Sequence, residues 1–168
     1  MASTHESGGT QPHRRLGEVL HLAAVDMFTA RTILSETRLA ANDAAARVQW
    51  AEMVLAVVKN AAPSDLGAAR AMLYDVRVLA RDHPDEPRLA RLWAEAAAEI
   101  IDAIASSDLA SARGLLHEMQ SAAHELSSQA LVQIWQETGR ALANRTAHMD
   151  RIAADAIRRE IGQDESLR

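Results

Sequence analysis

The chain has 168 residues, and 48% of them are apolar, which excludes a disordered chain and is enough for one domain with a buried core. Its formal net charge of −5 argues against non-specific nucleic-acid binding, and the absence of cysteine excludes disulfides, thiolate metal ligands and a thiol nucleophile. Seven glycines and four prolines leave long uninterrupted runs of helix formers, which predicts an all-α protein.

The two ends of the chain are predicted to be tails. Residues 1–13 are polar and contain no apolar stretch of the kind found in a signal peptide. We therefore expect a disordered N-terminal tail over 1–13, a helical repeat domain over 14–162 and a C-terminal tail over 163–168. No run approaches the length of a membrane span, so we expect a cytoplasmic protein with no membrane contact. Lys59 is the single lysine beside many arginines and alanines, a composition that favours a bacterial source.

Amphipathic helices are predicted along nearly the whole chain, because apolar residues recur at three- and four-residue spacing. Capping and turn residues interrupt this pattern at 42–43, 60–65, 83–87, 106–108 and 127–128. These breaks place about seven helices near 14–41, 43–60, 65–82, 86–105, 108–126, 128–145 and 149–162. A break of the first helix near Asp26 stays open, since neither glycine nor proline marks an end there.

One phrase occurs three times: DMFTARTILSETRLAA at 26–41, DLGAARAMLYDVRVLA at 65–80 and DLASARGLLHEMQSAA at 108–123. Each copy begins with aspartate and an apolar residue, and alanine, arginine and leucine follow at fixed offsets. The apolar residue, the alanine and the leucine are spaced i, i+3 and i+7, so they form one stripe of a helix.

A second phrase lies between these copies and begins with Trp50, Trp93 and Trp135. Fifteen residues after each tryptophan lies a repeated aspartate: Asp65, Asp108 and Asp150. The spacing between successive tryptophans defines a repeat of 42–43 residues that contains two helices. One such unit cannot bury its apolar face alone. The sequence therefore predicts a short right-handed α-solenoid of about three helix-turn-helix repeats, with the tryptophans in its core.

These positions resemble the tetratricopeptide repeat. In the first helix of that motif, tryptophan is followed by a small residue four positions later and a bulky residue seven positions later. The corresponding residues here are Val54, Ala97 and Gly139, and then Val57, Ile100 and Leu142. The 42–43-residue length departs from the usual 34, and the closing proline occurs once, as Pro84. A HEAT-like stack is the alternative, although its usual first-helix proline is missing here.

The resemblance implies a concave groove lined by the first helix of each repeat. The lining positions are those two before, one after, five after and nine after each tryptophan. These positions hold Val48, Ala51, Leu55 and Lys59; Arg91, Ala94, Ala98 and Asp102; and Gln133, Gln136, Arg140 and Asn144. It implies a non-enzymatic adaptor that binds a protein or peptide there. Some family members clamp a terminal carboxylate with lysine and asparagine at the positions one and five after the tryptophan. Alanine and leucine stand at these positions in the first unit and two alanines in the second, so that clamp is not implied here. The alternative is that these side chains are simply solvated or covered by the N-terminal helix.

Charged residues also repeat, with Arg31, Arg70 and Arg113 at one position and Glu52, Glu95 and Glu137 at another. One arginine and one glutamate per repeat predict a ladder of ion pairs between helices that fixes their register.

The sequence contains no glycine-rich phosphate loop and no nucleophile motif, so we expect neither enzymatic activity nor a cofactor. An alternative is a helical bundle that holds a metal or small ligand through Glu18, His21, His117 and His124. Di-iron bundles need the Glu-x-x-His spacing twice, whereas it occurs once here. A structural subunit of a larger assembly is a further alternative.

The last predicted helix carries an apolar stripe of Met149, Ile152, Ala153, Ala156, Ile157 and Ile161. This stripe either caps the open end of the stack or leaves apolar area for a homodimer.

Overall fold

The computed structural model describes residues 11–165, which form eight α-helices and no strand. The helices are α1 (Gln11–Val25), α2 (Met27–Leu39), α3 (Ala44–Ala61), α4 (Leu66–Asp82), α5 (Pro87–Ile104), α6 (Leu109–Glu125), α7 (Gln129–Thr146) and α8 (Arg151–Glu165). The predicted all-α class is confirmed. The predicted tails are too long within the described range, because α1 begins at Gln11 and α8 continues to Glu165. The rest of both tails, 1–10 and 166–168, lies outside the described residues.

The predicted helix 14–41 is two helices, α1 and α2, so the described residues form eight helices where about seven are expected. The chain breaks at Asp26, whose carboxylate accepts a hydrogen bond from the backbone N–H of Thr29 at 3.1 Å and another from its hydroxyl at 2.6 Å. These bonds satisfy donors that the first turn of α2 leaves free. A capping aspartate alone therefore ends one helix and starts the next, without glycine or proline.

The same cap recurs at every aspartate of the repeat. Asp26, Asp65, Asp108 and Asp150 each accept from the backbone N–H three residues later, at 2.9 to 3.1 Å. The repeated aspartate therefore marks the start of the second helix in each pair.

Successive helices form four hairpins, α1–α2, α3–α4, α5–α6 and α7–α8, rather than about three. Each first helix packs against the next first helix, from α1 to α3 to α5 to α7, and each second helix of the first three hairpins packs against the first helix that follows. The result is a solenoid-like stack of two layers. We call α1, α3, α5 and α7 the first layer, and α2, α4, α6 and α8 the second layer.

The core follows the repeated positions. Trp50, Trp93 and Trp135 are at most 2% exposed, so their predicted place in the core is confirmed. The repeated alanines of the second helices, Ala30, Ala69, Ala112 and Ala154, are 0% exposed. A large aromatic on one helix and a methyl group on the other allow close packing without a void.

The last helix caps the stack with a stripe that differs from the predicted one. Ile157 and Ile161 are buried as expected, together with Ala154, whereas Met149 and Ile152 are 57% and 82% exposed. Close contact between α7 and α8 depends on Gly139, because a Cβ at this position would lie 2.5 Å from Cδ1 of Ile161. Capping by α8 thus coexists with two exposed apolar side chains at its N-terminal end, Met149 before the helix and Ile152 within it.

Two glycine substitutions test this close approach. Gly139→Leu should destabilise the protein by about 1–3 kcal/mol, because the added side chain has no room beside Ile161. Gly114→Ala in α6 is the matched control, since no atom lies within 4 Å of its added Cβ, and it should stabilise by about 0.5–1 kcal/mol. Urea unfolding measures both. Equal destabilisation by the two changes would contradict the packing of α8 on α7.

The cap of α6 should make stability depend on pH. Hydrogen bonds from the Ser111 side chain and then its backbone N–H lower the pKa of Asp108 below its ordinary value of 3.8. A carboxyl with a lowered pKa in the folded state stabilises above that ordinary value, and the stabilisation is lost as pH falls through the lowered one.

Asp108→Asn keeps a capping acceptor but removes the titrating group. Urea midpoints compared between about pH 5 and about pH 2 should therefore fall less for Asp108→Asn than for the wild type. An identical fall in both proteins would show that the ionised cap does not contribute.

Candidate functional site

The residues predicted to line a groove lie on the first-layer helices, and several are exposed. Lys59, Arg91 and Asp102 all reach the surface. Each is neutralised by a neighbour: Lys59 lies 2.8 Å from Glu99, Arg91 lies 2.8 Å from Glu95, and Asp102 pairs with Arg145. The first-layer surface is therefore a mosaic of ion pairs rather than a field of one charge.

The third unit of the predicted groove is more polar. Gln133, Arg140 and Asn144 are exposed, and Gln136 is half-buried. The Asn144 Oδ1 lies 3.5 Å from the guanidinium of Arg158 on α8.

Part of the predicted groove lies inside the core. Leu55 is 4% exposed, so its prediction as a groove residue is wrong, and Val48 is half-buried against the core. Ala51 and Ala94 are likewise buried, at 0% and 1%. Packing between first-layer helices buries the positions one and five after the tryptophan in α3, whereas Arg140, five after the tryptophan of α7, stays exposed. The repeated glutamates two after the tryptophan also lie toward the surface, with Glu52 and Glu137 exposed and Glu95 half-buried, in a row that only its repetition in the sequence indicated.

A depression of about 260 Å³ lies between α5 and α7 on the first layer. Its floor is apolar and is formed by Ala98, Ile101, Ala105, Ala141 and Leu142. Its rim carries Asp102, Glu137, Thr138 and Arg145. The Arg145 guanidinium pairs with the Asp102 carboxylate and also donates to the Asp102 carbonyl oxygen at 2.6 Å. We call this feature the α5–α7 depression. An apolar floor inside a charged rim suits a single apolar side chain from a partner.

The predicted ion-pair ladder consists of two separate ladders, one in each layer. In the second layer, Arg70 pairs with Glu118, and Arg113 lies 2.7 Å from Glu160. Of the repeated glutamates of the first layer, Glu52 lies 2.6 Å from Arg88 of the next first-layer helix, and Glu95 lies 2.8 Å from Arg91 of its own helix. Arg31, which holds the same repeat position as Arg70, forms no ion pair with any described residue. The ladder is therefore incomplete at its N-terminal end.

A cleft of about 370 Å³ opens where the ladder is incomplete, between α2 and the α3–α4 hairpin. It is lined by Phe28, Arg31, Thr32, Leu34, Ser35, Arg38, Trp50, Val54, Met72 and Asp75. We call it the N-terminal cleft. Phe28 is 81% exposed at this cleft, and the Arg38 guanidinium carbon lies 5.6 Å from the centre of the Trp50 ring. This cleft is not readable from the sequence, because three helices contribute to it.

The residues of the metal hypothesis do not form a ligand set. Glu18 and His21 are exposed on α1, while His117 and His124 are exposed on α6. Among the residues whose side chains the structure describes, no group of three or more histidine or carboxylate side chains lies close enough to hold a metal ion. The same part of the chain contains no helix whose length and apolarity would suit a bilayer crossing.

No family model matches the chain, and comparison with curated proteins and with solved structures gives no significant match. The indications of its function are therefore the α5–α7 depression and the N-terminal cleft.

Proposed function

We propose that this protein is a non-enzymatic adaptor that binds a segment of another protein on its first-layer surface, anchored in the α5–α7 depression. The observation that carries the proposal is the combination of an apolar floor of about 260 Å³ with a rim of Asp102, Glu137 and Arg145. Protein interfaces are typically built in this way, with a buried apolar anchor surrounded by polar contacts.

The charges around the depression favour a partner segment with an apolar anchor and polar flanks. Asp102 and Arg145 neutralise each other, and Glu137 stays on the opposite rim. Arg140 and Asn144 are exposed on the same stretch of α7, beside the lining residues, and can contact the flanks. Since ion pairs at an exposed rim contribute little energy, the affinity should come mainly from the apolar anchor.

The arrangement of the layers supports a tetratricopeptide-like stack with extended repeats. In such a stack each first helix packs beside the next one and leaves one face open, as α3, α5 and α7 do here. We place this adaptor in a bacterial cytoplasm. The proposed role needs neither metal nor cofactor.

An arginine placed in the depression tests the proposal. Ala141 is exposed on α7 and lines the floor, so Ala141→Arg should fill the depression while the helix keeps a good helix former. Ala71→Arg on α4 is the matched control, because Ala71 is equally exposed on the second layer. A partner captured by the wild type and by Ala71→Arg should be lost from Ala141→Arg, with affinity reduced at least about tenfold.

A companion variant tests the flanking charges. Arg91→Glu/Arg140→Glu reverses two exposed cations of the same surface, and circular dichroism confirms that each variant is folded. If every partner survives both this change and Ala141→Arg, the first-layer surface is not the binding site.

Exposed Met149 and Ile152 favour a second mode of association, in which two copies pair through α8. Ile152→Lys should then convert a dimer to a monomer in sedimentation velocity at micromolar concentration, because a desolvated ammonium opposes burial of this patch. A wild type that sediments as a monomer at every concentration would contradict self-pairing.

A further inference from the structure

In the second layer, the ion-pair ladder is complete between α4 and α6, where each of two arginines pairs with a glutamate. Between α4 and α6, Arg70 pairs with Glu118, and Arg77 lies 2.6 Å from Glu125. Two arginines seven residues apart on one helix thus meet two glutamates seven residues apart on the next. The first join of the layer, between α2 and α4, breaks this pattern.

At that first join, the arginines are present but the glutamates are replaced by aspartates. Arg31 and Arg38 on α2 hold the same repeat positions as Arg70 and Arg77, and Asp75 on α4 replaces the glutamate opposite Arg31. Aspartate is one methylene shorter, and neither arginine of α2 forms an ion pair with any described residue. The second aspartate, Asp82, lies 3.4 Å from Arg81 instead.

The N-terminal cleft occupies the space that the missing pairs leave. Its floor consists of Trp50, Val54 and Met72, all at most 2% exposed, and Phe28 lies exposed at its edge. Its volume of about 370 Å³ falls in the range of small-molecule sites, which is roughly 300–1,000 Å³. The cleft therefore offers a small ligand an apolar floor together with cationic walls.

The charges of the cleft select an anion. Two guanidinium groups and the Asp75 carboxylate give it a formal charge of +1, although the whole chain carries −5. Guanidinium groups bind carboxylates through paired, charge-assisted hydrogen bonds, which are stronger in a partly desolvated site. Stacking of Arg38 on Trp50 holds one of these groups at the floor.

We propose that the N-terminal cleft binds a small organic acid, whose carboxylate pairs with Arg31 where the next join of the layer places a glutamate, while Arg38 on the cleft floor adds a second positive charge. Its apolar body, aromatic or branched, packs on Trp50 and Met72 and covers Phe28. This site lies between α2 and the α3–α4 hairpin, shares no lining residue with the α5–α7 depression and does not depend on the adaptor role of the first layer.

Titration calorimetry with 3-phenylpropionate, and with uncharged 3-phenylpropanol as the matched ligand, tests the proposal. The acid should bind saturably to one site, and the alcohol at least about tenfold more weakly, because it lacks the charge that the arginines recognise. Arg31→Gln/Arg38→Gln should remove the preference for the acid. Arg70→Gln/Arg77→Gln should keep it, since that pair has the same spacing but is already occupied by glutamates.

Asp75→Glu provides the sharpest variant, because it keeps every charge and adds a single methylene. It should complete the ladder with Arg31 and weaken binding of 3-phenylpropionate at least about tenfold, whereas Asp75→Asn should strengthen binding by removing a repelling carboxylate. Absence of saturable binding by the wild type, equal affinity for acid and alcohol, or unchanged affinity in Asp75→Glu would each overturn the proposal.

Discussion

Every hairpin of this protein has an apolar face that only the next hairpin can cover, and the rest of the structure follows from that constraint. The tryptophans of α3, α5 and α7 and the repeated alanine of each second helix are almost fully buried where the helices meet. The alanines bring the helices close, and the tryptophans fill the space this approach leaves. The aspartate caps then fix where each second helix begins, so that the apolar residues of successive hairpins stay in register.

The charged residues act on register more than on energy. Exposed ion pairs such as Arg113 with Glu160 contribute about 0–1 kcal/mol each. These ion pairs instead specify how neighbouring hairpins align, because a hairpin shifted along its neighbour by one helical turn would leave several charges without partners. The two proposed sites differ in how the charges around them are matched. The α5–α7 depression lies beside the pair of Asp102 with Arg145, and the N-terminal cleft lies where two aspartates are too short to pair.

Much of this fold could be predicted from the sequence, because repetition makes weak local signals reliable. The capping aspartates, the buried tryptophans and most helix ends depend on residues close together in the sequence, so they can be predicted from it. The sequence does not decide the break at Asp26, since one capping side chain ends a helix where glycine or proline usually does. The burial of Leu55 is not predictable for a different reason: an amphipathic stripe indicates which residues are apolar, but not which side a neighbouring helix covers. Neither cavity could be read in advance, because each depends on side chains brought together from two or three helices.

A stack whose hairpins touch only their neighbours has consequences for how the chain moves. Its stability is approximately a sum of local terms, so opening can begin at an end without unfolding the middle. Within the described part of the chain, the hairpin of α1 and α2 is covered on one side alone, and its second-layer ladder is incomplete, so its backbone amides should exchange with solvent faster than those of α5. Any ligand bound against α2 would slow that exchange. The N-terminal hairpin could then report occupancy of the cleft as local rigidity, with no change in the shape of the remaining stack.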